Sequence, residues 1–235
     1  MDSIKHIFPK NGDCSGKKLR VIHIASFFGN LGDAASHMGL YNIMSNVLTQ
    51  EVELTQIEIR RFYKNYSLPD KMAFDEQFVE KANKYDLMII GGGGFLDYWV
   101  PNSATGTTID ISNENLEKLS VPTLFASLGC LPHKEIPEGN IEKFHRLVTK
   151  IIEKDNLSLA VRNDGSADEL QRLFGCEVSD KVDSVLDNAF FLPTSFYDGK
   201  LISKPYIAIN TAVDQLYMKN RILNKIDPAT FQKEM

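Results

Sequence analysis

Residues 86–99 read DLMIIGGGGFLDYW, and this stretch decides the fold. An unbroken apolar run ends abruptly in Gly91–Gly94. Strands that face water on one side alternate apolar with polar residues, whereas strands covered on both faces do not. The run at 86–90 therefore predicts a buried strand of a parallel sheet. Similar runs lie on either side of it: LRVIHIAS (19–26), VELTQIEI (52–59), PTLFASLG (122–129) and LSLAV (157–161). The second of these alternates, as a half-covered strand does. Helical patterns separate the strands, which predicts an α/β fold: a doubly wound, mostly parallel, Rossmann-like sheet with helices on both faces.

The intervening helices are expected near 34–48, 75–84 and 140–152. The first should turn Ala34, Met38, Tyr41 and Leu48 to the core, and the third Ile141, Phe144, Val148 and Ile151. A further helix starts at Ser166, which with Glu169 makes a capping-box pattern. It carries the apolar stripe Ala167, Leu170 and Phe174 and stops at Gly175. Residues 1–18 read as a polar extension and 19–200 as the Rossmann-like domain. After Pro193 the pattern restarts, with a strand at 205–210 and a helix behind it. Too few residues follow for an independent domain. The expectation is that 201–235 forms a linker and the truncated start of a second domain, in a native chain that continues. The alternative is one more strand and helix on the same sheet.

Composition narrows the function. The net charge of −5 argues against nucleic acid or an anionic membrane as main partner, since both select a basic field. No apolar run is long enough to span a bilayer, and MDSIKHIFPK lacks the apolar core of a signal peptide. Cys14, Cys130 and Cys176 are odd in number and scattered, as in a chain with reduced cytoplasmic thiols. His6, His23 and His145 lack metal-ligand spacing, so no metal or other cofactor is expected.

In a doubly wound sheet, ligands bind beyond the carboxyl ends of the strands. There the first strand delivers Gly29, Asn30, Gly32 and Asp33, and the second Arg60 and Arg61. The third delivers Gly91–Gly94 and Asp97, and the fourth Ser127, Gly129 and His133. The fifth delivers Arg162, Asn163, Asp164 and Ser166, and Asp187 and Asn188 follow later. Several have ordinary structural readings. Asp33 suits a helix cap, Ser166 a second cap, Gly29 and Gly32 tight turns, and Gly91–Gly94 close packing. Arg162 stands out, because an arginine ending an apolar strand needs a partner or a ligand. Its fork fits a carboxylate or a phosphate. Asp164 is its local candidate partner, and a ligand role is the reading preferred here.

Familiar nucleotide motifs are absent. G-x-G-x-x-G fails because Leu96 stands at its last position, and Arg60 occupies the end of strand two where an acidic ribose-binding residue would be wanted. No Walker A lysine follows the glycines.

Taken together, GNLGD, DLMIIGGGGFL, VRNDGSADEL and VLDNAFFL, in this order over about residues 20–193, resemble the polysaccharide pyruvyl transferase family. The resemblance implies half of a two-domain architecture like that of GT-B glycosyltransferases. It implies transfer of the enolpyruvyl-derived group of phosphoenolpyruvate onto a sugar of a cell-surface glycan, free or lipid-linked, as in exopolysaccharide biosynthesis. The reaction would occur in the cytoplasm or at the inner face of the membrane. It also implies that Arg162 holds the donor's anionic groups, that Gly29, Asn30, Gly32 and Asp33 line the cleft, and that His133 faces the acceptor. Gly92, Gly93 and Gly94 would form the cleft floor, with Asp164 and Ser166 beside it; His133 and Asp33 are the weak catalytic candidates. The chain departs from the family at Ala34, where an acidic residue is usual, and in having no Arg-Leu-His triplet. That lack implies that these 235 residues alone are inactive. Two other readings stay open: a nucleotide-sugar glycosyltransferase of the same architecture, and a non-catalytic domain that binds a sugar or a partner.

Overall fold

A computed structural model describes residues 18–28, 30–132, 134–193 and 205–207. Six parallel strands form one sheet in the order β2-β1-β3-β4-β5-β6. They are β1 (Leu19–Ala25), β2 (Val52–Glu58), β3 (Leu87–Gly91), β4 (Thr123–Leu128), β5 (Leu157–Arg162) and β6 (Asp183–Val185). The helices are α1 (Leu31–Val47), α2 (Glu76–Ala82), α3 (Asn113–Lys118), α4 (Asn140–Glu153), α5 (Ser166–Phe174) and α6 (Cys176–Ser179). Short 3-10 turns occupy Ile59–Phe62 and Asn188–Phe191. This is the doubly wound α/β, Rossmann-like fold that the apolar runs predict. The strand order reverses between β1 and β3, which opens a crevice at their carboxyl ends.

β3 and β4 are buried along their whole length, so the unalternating runs have the cause expected of them. The two faces of the sheet are unequally covered. On one, Ile22, Ile24, Met88, Ile90, Phe125 and Val161 pack with Phe78, Phe144, Leu147, Val148 and Leu170 in the main core. Burying side chains of this size contributes about 1.5–3 kcal/mol each. On the other, Val21, Leu87, Ile89, Leu124 and Ala126 meet Leu40 and Met44 of α1.

Several local expectations are corrected. α1 begins at Leu31 and buries Ser36, His37, Gly39, Leu40 and Met44; of the four residues expected at the core, Tyr41 and Leu48 pack against it partly buried, while Ala34 and Met38 are exposed. The apolar residues were a poor guide because this helix turns a partly polar face to the sheet. In α4, Phe144, Leu147, Val148 and Ile151 are buried, and Ile141 lies at the rim. The capping box at Ser166 does not form. Gly165, at φ 99°, precedes α5 and makes no side-chain cap, and Glu169 bonds instead to Tyr98 and Arg172. Gly175 does end α5, at φ 76°. The edge strand β6 has no apolar signature, since its three residues are Asp183, Ser184 and Val185. Of the strand expected at 205–210, residues 205–207 are not in a strand, and the rest lies outside the described residues.

Candidate functional site

The glycine run is held against the end of β4. A Cβ on Gly91 would lie 2.2 Å from the carbonyl oxygen of Ala126, so only glycine lets β3 reach β4 here. Gly92 adopts φ 86°, a left-handed conformation, and its N–H donates to the same oxygen at 3.1 Å. The loop is then clipped to the end of β4 twice: Gly129 N–H donates to Gly93 O at 3.0 Å, and Leu96 N–H to Gly129 O at 3.1 Å. Phe95, Leu96 and Tyr98 are buried and fix the loop in the core. Close packing, the simpler reading, therefore accounts for Gly91 and Gly92. The N–H of Gly92 is already committed.

Below this loop the ends of β3, β4 and β5 bring Arg162, Asp164, Ser166 and Asp97 together. The guanidinium of Arg162 lies over Gly129, whose added Cβ would stand 2.8 Å from Nη2. Arg162 Nε donates to Asp164 at 2.5 Å, and Nη1 faces Asp187 at 3.6 Å. Arg162 is thus flanked by two carboxylates, and Asp164 is indeed a partner. Burial raises the Asp164 carboxyl, but hydrogen bonds from Ser166 and Arg162 outweigh it and leave the group lowered. Ser166 is fully buried, and its hydroxyl accepts from the Cys130 N–H at 3.0 Å while donating to Asp164. It staples the two strand ends together instead of facing the cleft. Burial pushes the Cys130 thiol up to about 12, which leaves it inert as a nucleophile near neutrality.

Asp97 is the residue whose weight sequence reasoning missed. It is 8% exposed, and burial pushes its carboxyl up to about 7, against the opposing pull of Arg162 and hydrogen bonds from Trp99 and the Leu131 N–H. Its position after a glycine run was visible, but its burial was not. A long connection at 98–111 follows Asp97, where Ser103, Thr105 and Thr107 bond one another and the backbone. Asn140, at the start of α4, ties this connection down through Tyr98 O and Val100 O.

The first loop forms a second group. Asn30 is the N-cap of α1, accepting from Gly32 N–H at 3.0 Å, so Asp33 sits in the first turn without capping it. Gly32 has no left-handed φ, and an added Cβ would meet only Asn30 Oδ1 at an ordinary 3.5 Å. Neither turning nor packing explains this glycine. His37 does not pair with Asp33; its Nε2 bonds Ser26 O at 2.7 Å. β2 ends at Glu58, so an acid does stand at the strand end, and Arg60 lies beyond it in the 3-10 turn. That acid accepts from Phe27 N–H at 2.9 Å and pairs with Arg60, clamping the first loop. Tyr63, after the 3-10 turn that follows β2, feels charges from both groups. Its phenol is raised by burial and, against Arg60, by Glu58, Asp33 and Asp97 together. Gly29 and His133 lie outside the described residues.

The crevice at the sheet reversal thus carries a helix N-terminus on one side and an arginine-carboxyl cluster on the other. The sequence profile of the polysaccharide pyruvyl transferase family matches residues 30–227. The chain belongs to that family. The match covers both Asn30, at the mouth of the first loop, and the whole Arg162 cluster. Comparison with curated proteins and with solved structures gives no match. Family membership assigns a transferase role in polysaccharide pyruvylation. Among the described residues, no helix is long and apolar enough to cross a membrane.

Proposed function

We propose that the protein transfers the enolpyruvyl-derived group of phosphoenolpyruvate onto a sugar of a cell-surface glycan, leaving pyruvate as a ketal. The observation that carries this reading is the family match from residue 30 to residue 227, which spans α1 and the carboxyl ends of β2 to β6. Gly32 supports a ligand at the first loop, since a bare first turn of a 17-residue helix lets an anion approach its N–H groups. Arg162 offers its fork to the donor, but Asp164 and Asp187 already offset its charge. It therefore orients the donor more than it attracts it, and the helix terminus and residues outside this crevice supply the remaining attraction. In this reading Asn30, Gly32 and Asp33 line one wall and Gly92–Gly94 the floor.

The Rossmann-like unit supplies one wall of a two-domain cleft, and the acceptor is a free or lipid-linked sugar at the cytoplasmic face of a membrane. Titration of the intact natural protein with phosphoenolpyruvate and with a panel of nucleotide sugars tests the reading. Saturable binding of phosphoenolpyruvate is expected. Binding of a nucleotide sugar with no response to phosphoenolpyruvate would overturn it in favour of a glycosyltransferase.

A further inference from the structure

We propose that Asp97 is the proton-carrying residue of this site, giving a proton to C3 of the enolpyruvyl group and recovering one from the acceptor hydroxyl. The inference rests on the pyruvyl transfer reading. Its geometric basis is the close approach of Gly94 to the carboxyl. Gly94 is half-buried and lies over Asp97, and a Cβ there would stand 3.2 Å from Oδ2. Gly94 does not have a left-handed φ, so its backbone does not require glycine. The bare position keeps any side chain of residue 94 off Oδ2.

Charged and polar groups act on the carboxyl. The Arg162 guanidinium lowers its pKa and the Asp164 carboxylate raises it. Trp99 and the Leu131 N–H bond it from its own loop and from the β4–α4 connection. Lys134 sits 3.5 Å from the centre of the Trp99 ring, and burial raises the Cys130 thiol. The phenol of Tyr63 is raised in part by the charge of Asp97. Raised by burial to about 7, the carboxyl exists in both protonation states near neutrality. A proton carrier needs that balance.

The steps balance as follows. The Asp97 proton adds to the methylene C3, making it a methyl group and leaving C2 electron-deficient. An acceptor hydroxyl oxygen bonds to C2, and its proton returns to the Asp97 carboxylate. The bond from C2 to the phosphate oxygen then breaks. A second hydroxyl of the sugar bonds to C2, and its proton leaves with inorganic phosphate. Asp97 ends as it began.

The test uses the intact natural protein and dicyclohexylcarbodiimide, which couples to protonated carboxyls, with the modified peptide read by mass spectrometry. Asp97 should be labelled at about pH 6 and at least about tenfold less at about pH 9. Gly94→Ala should suppress the labelling about tenfold by placing a methyl over Oδ2. Asp97→Asn should lower turnover of phosphoenolpyruvate by about 100-fold or more, with its affinity changed less than about threefold. No labelling of Asp97 at about pH 6, in a protein that does form the ketal, would overturn the role of Asp97 and leave pyruvyl transfer standing. Labelling that Gly94→Ala blocks, in a protein that leaves phosphoenolpyruvate untouched with every acceptor, would overturn pyruvyl transfer and the steps built on it.

Discussion

His23 and Asp97 are both buried titratable side chains near the sheet reversal, and burial moves them in opposite directions. His23 lies in β1 beneath α1, fully buried, with Nδ1 2.9 Å from the Tyr41 hydroxyl. Burial, with His37 adding to it, lowers its pKa to about 3. Asp97 lies under the glycine loop on the other side of the reversal, raised by burial to about 7. Both are therefore neutral over much of the acidic range. They differ in their surroundings. His23 sits among Phe27, His37 and Tyr41, packed ring against ring, and makes a sealed structural cluster. Asp97 sits under the half-buried Gly94 and within the influence of Arg162 and Asp164. One region uses neutrality to pack, and the other has a carboxyl placed to exchange a proton.

The largest expected effect separates the two through pH. An Asp with a raised folded pKa stabilises the fold below its unfolded pKa, near 4, and that contribution is lost as pH rises through about 7. A His with a lowered folded pKa behaves oppositely: its cost is absent above about 6.5 and grows as pH falls toward about 3. Each amounts to an upper limit on the order of 4 kcal/mol. In the wild type the two slopes oppose each other between about pH 4 and 6.5. Asp97→Asn should expose a stability that rises with pH across this window in urea unfolding, and His23→Asn one that falls. Parallel slopes in the two variants would break the comparison.

Glycine replacements sharpen it next. Gly91→Ala drives a methyl into the Ala126 carbonyl between two central strands, and a loss of about 3 kcal/mol or more is expected in the same assay. Gly39→Ala makes an even closer contact, 1.8 Å from the backbone oxygen of Asn188, where α1 packs on the 188–191 turn. A loss of about 1–3 kcal/mol is expected there, with proteolysis increasing near 188–191. The smallest effect is on ligand binding. Arg162→Ala should weaken phosphoenolpyruvate binding about tenfold, or about 1.4 kcal/mol, because Asp164 and Asp187 already screen that arginine. Unchanged affinity by calorimetry would remove Arg162 from the donor site.

What could be read from the sequence follows the same division. The central strands were legible because β3 and β4 are covered on both faces, leaving unbroken apolar runs such as 87–90. The edge strand β6 was not, because three residues paired on one side need no apolar signature. The α1 face was misread because His37 and Ser36 are buried while Met38 is not. Within the site, Arg162 and the glycines announce themselves by type and position. Asp97 and Tyr63 do not, since their character comes from burial and from groups far away in sequence: Leu131, Arg162 and Asp164 for Asp97, and Asp33 and Asp97 for Tyr63. Glu58 was overlooked because strand two was read one residue too long.

The most direct test of pyruvyl transfer follows the three-carbon unit itself. The intact natural protein is incubated with phosphoenolpyruvate labelled at C3 and an extract of its own surface-glycan precursors, and carbon NMR follows the labelled carbon. The account predicts that the vinyl signal is replaced by the methyl signal of a sugar ketal, with one inorganic phosphate released per ketal formed. A vinyl signal that persists, while the same protein transfers a sugar from a nucleotide sugar to the precursor, would contradict it.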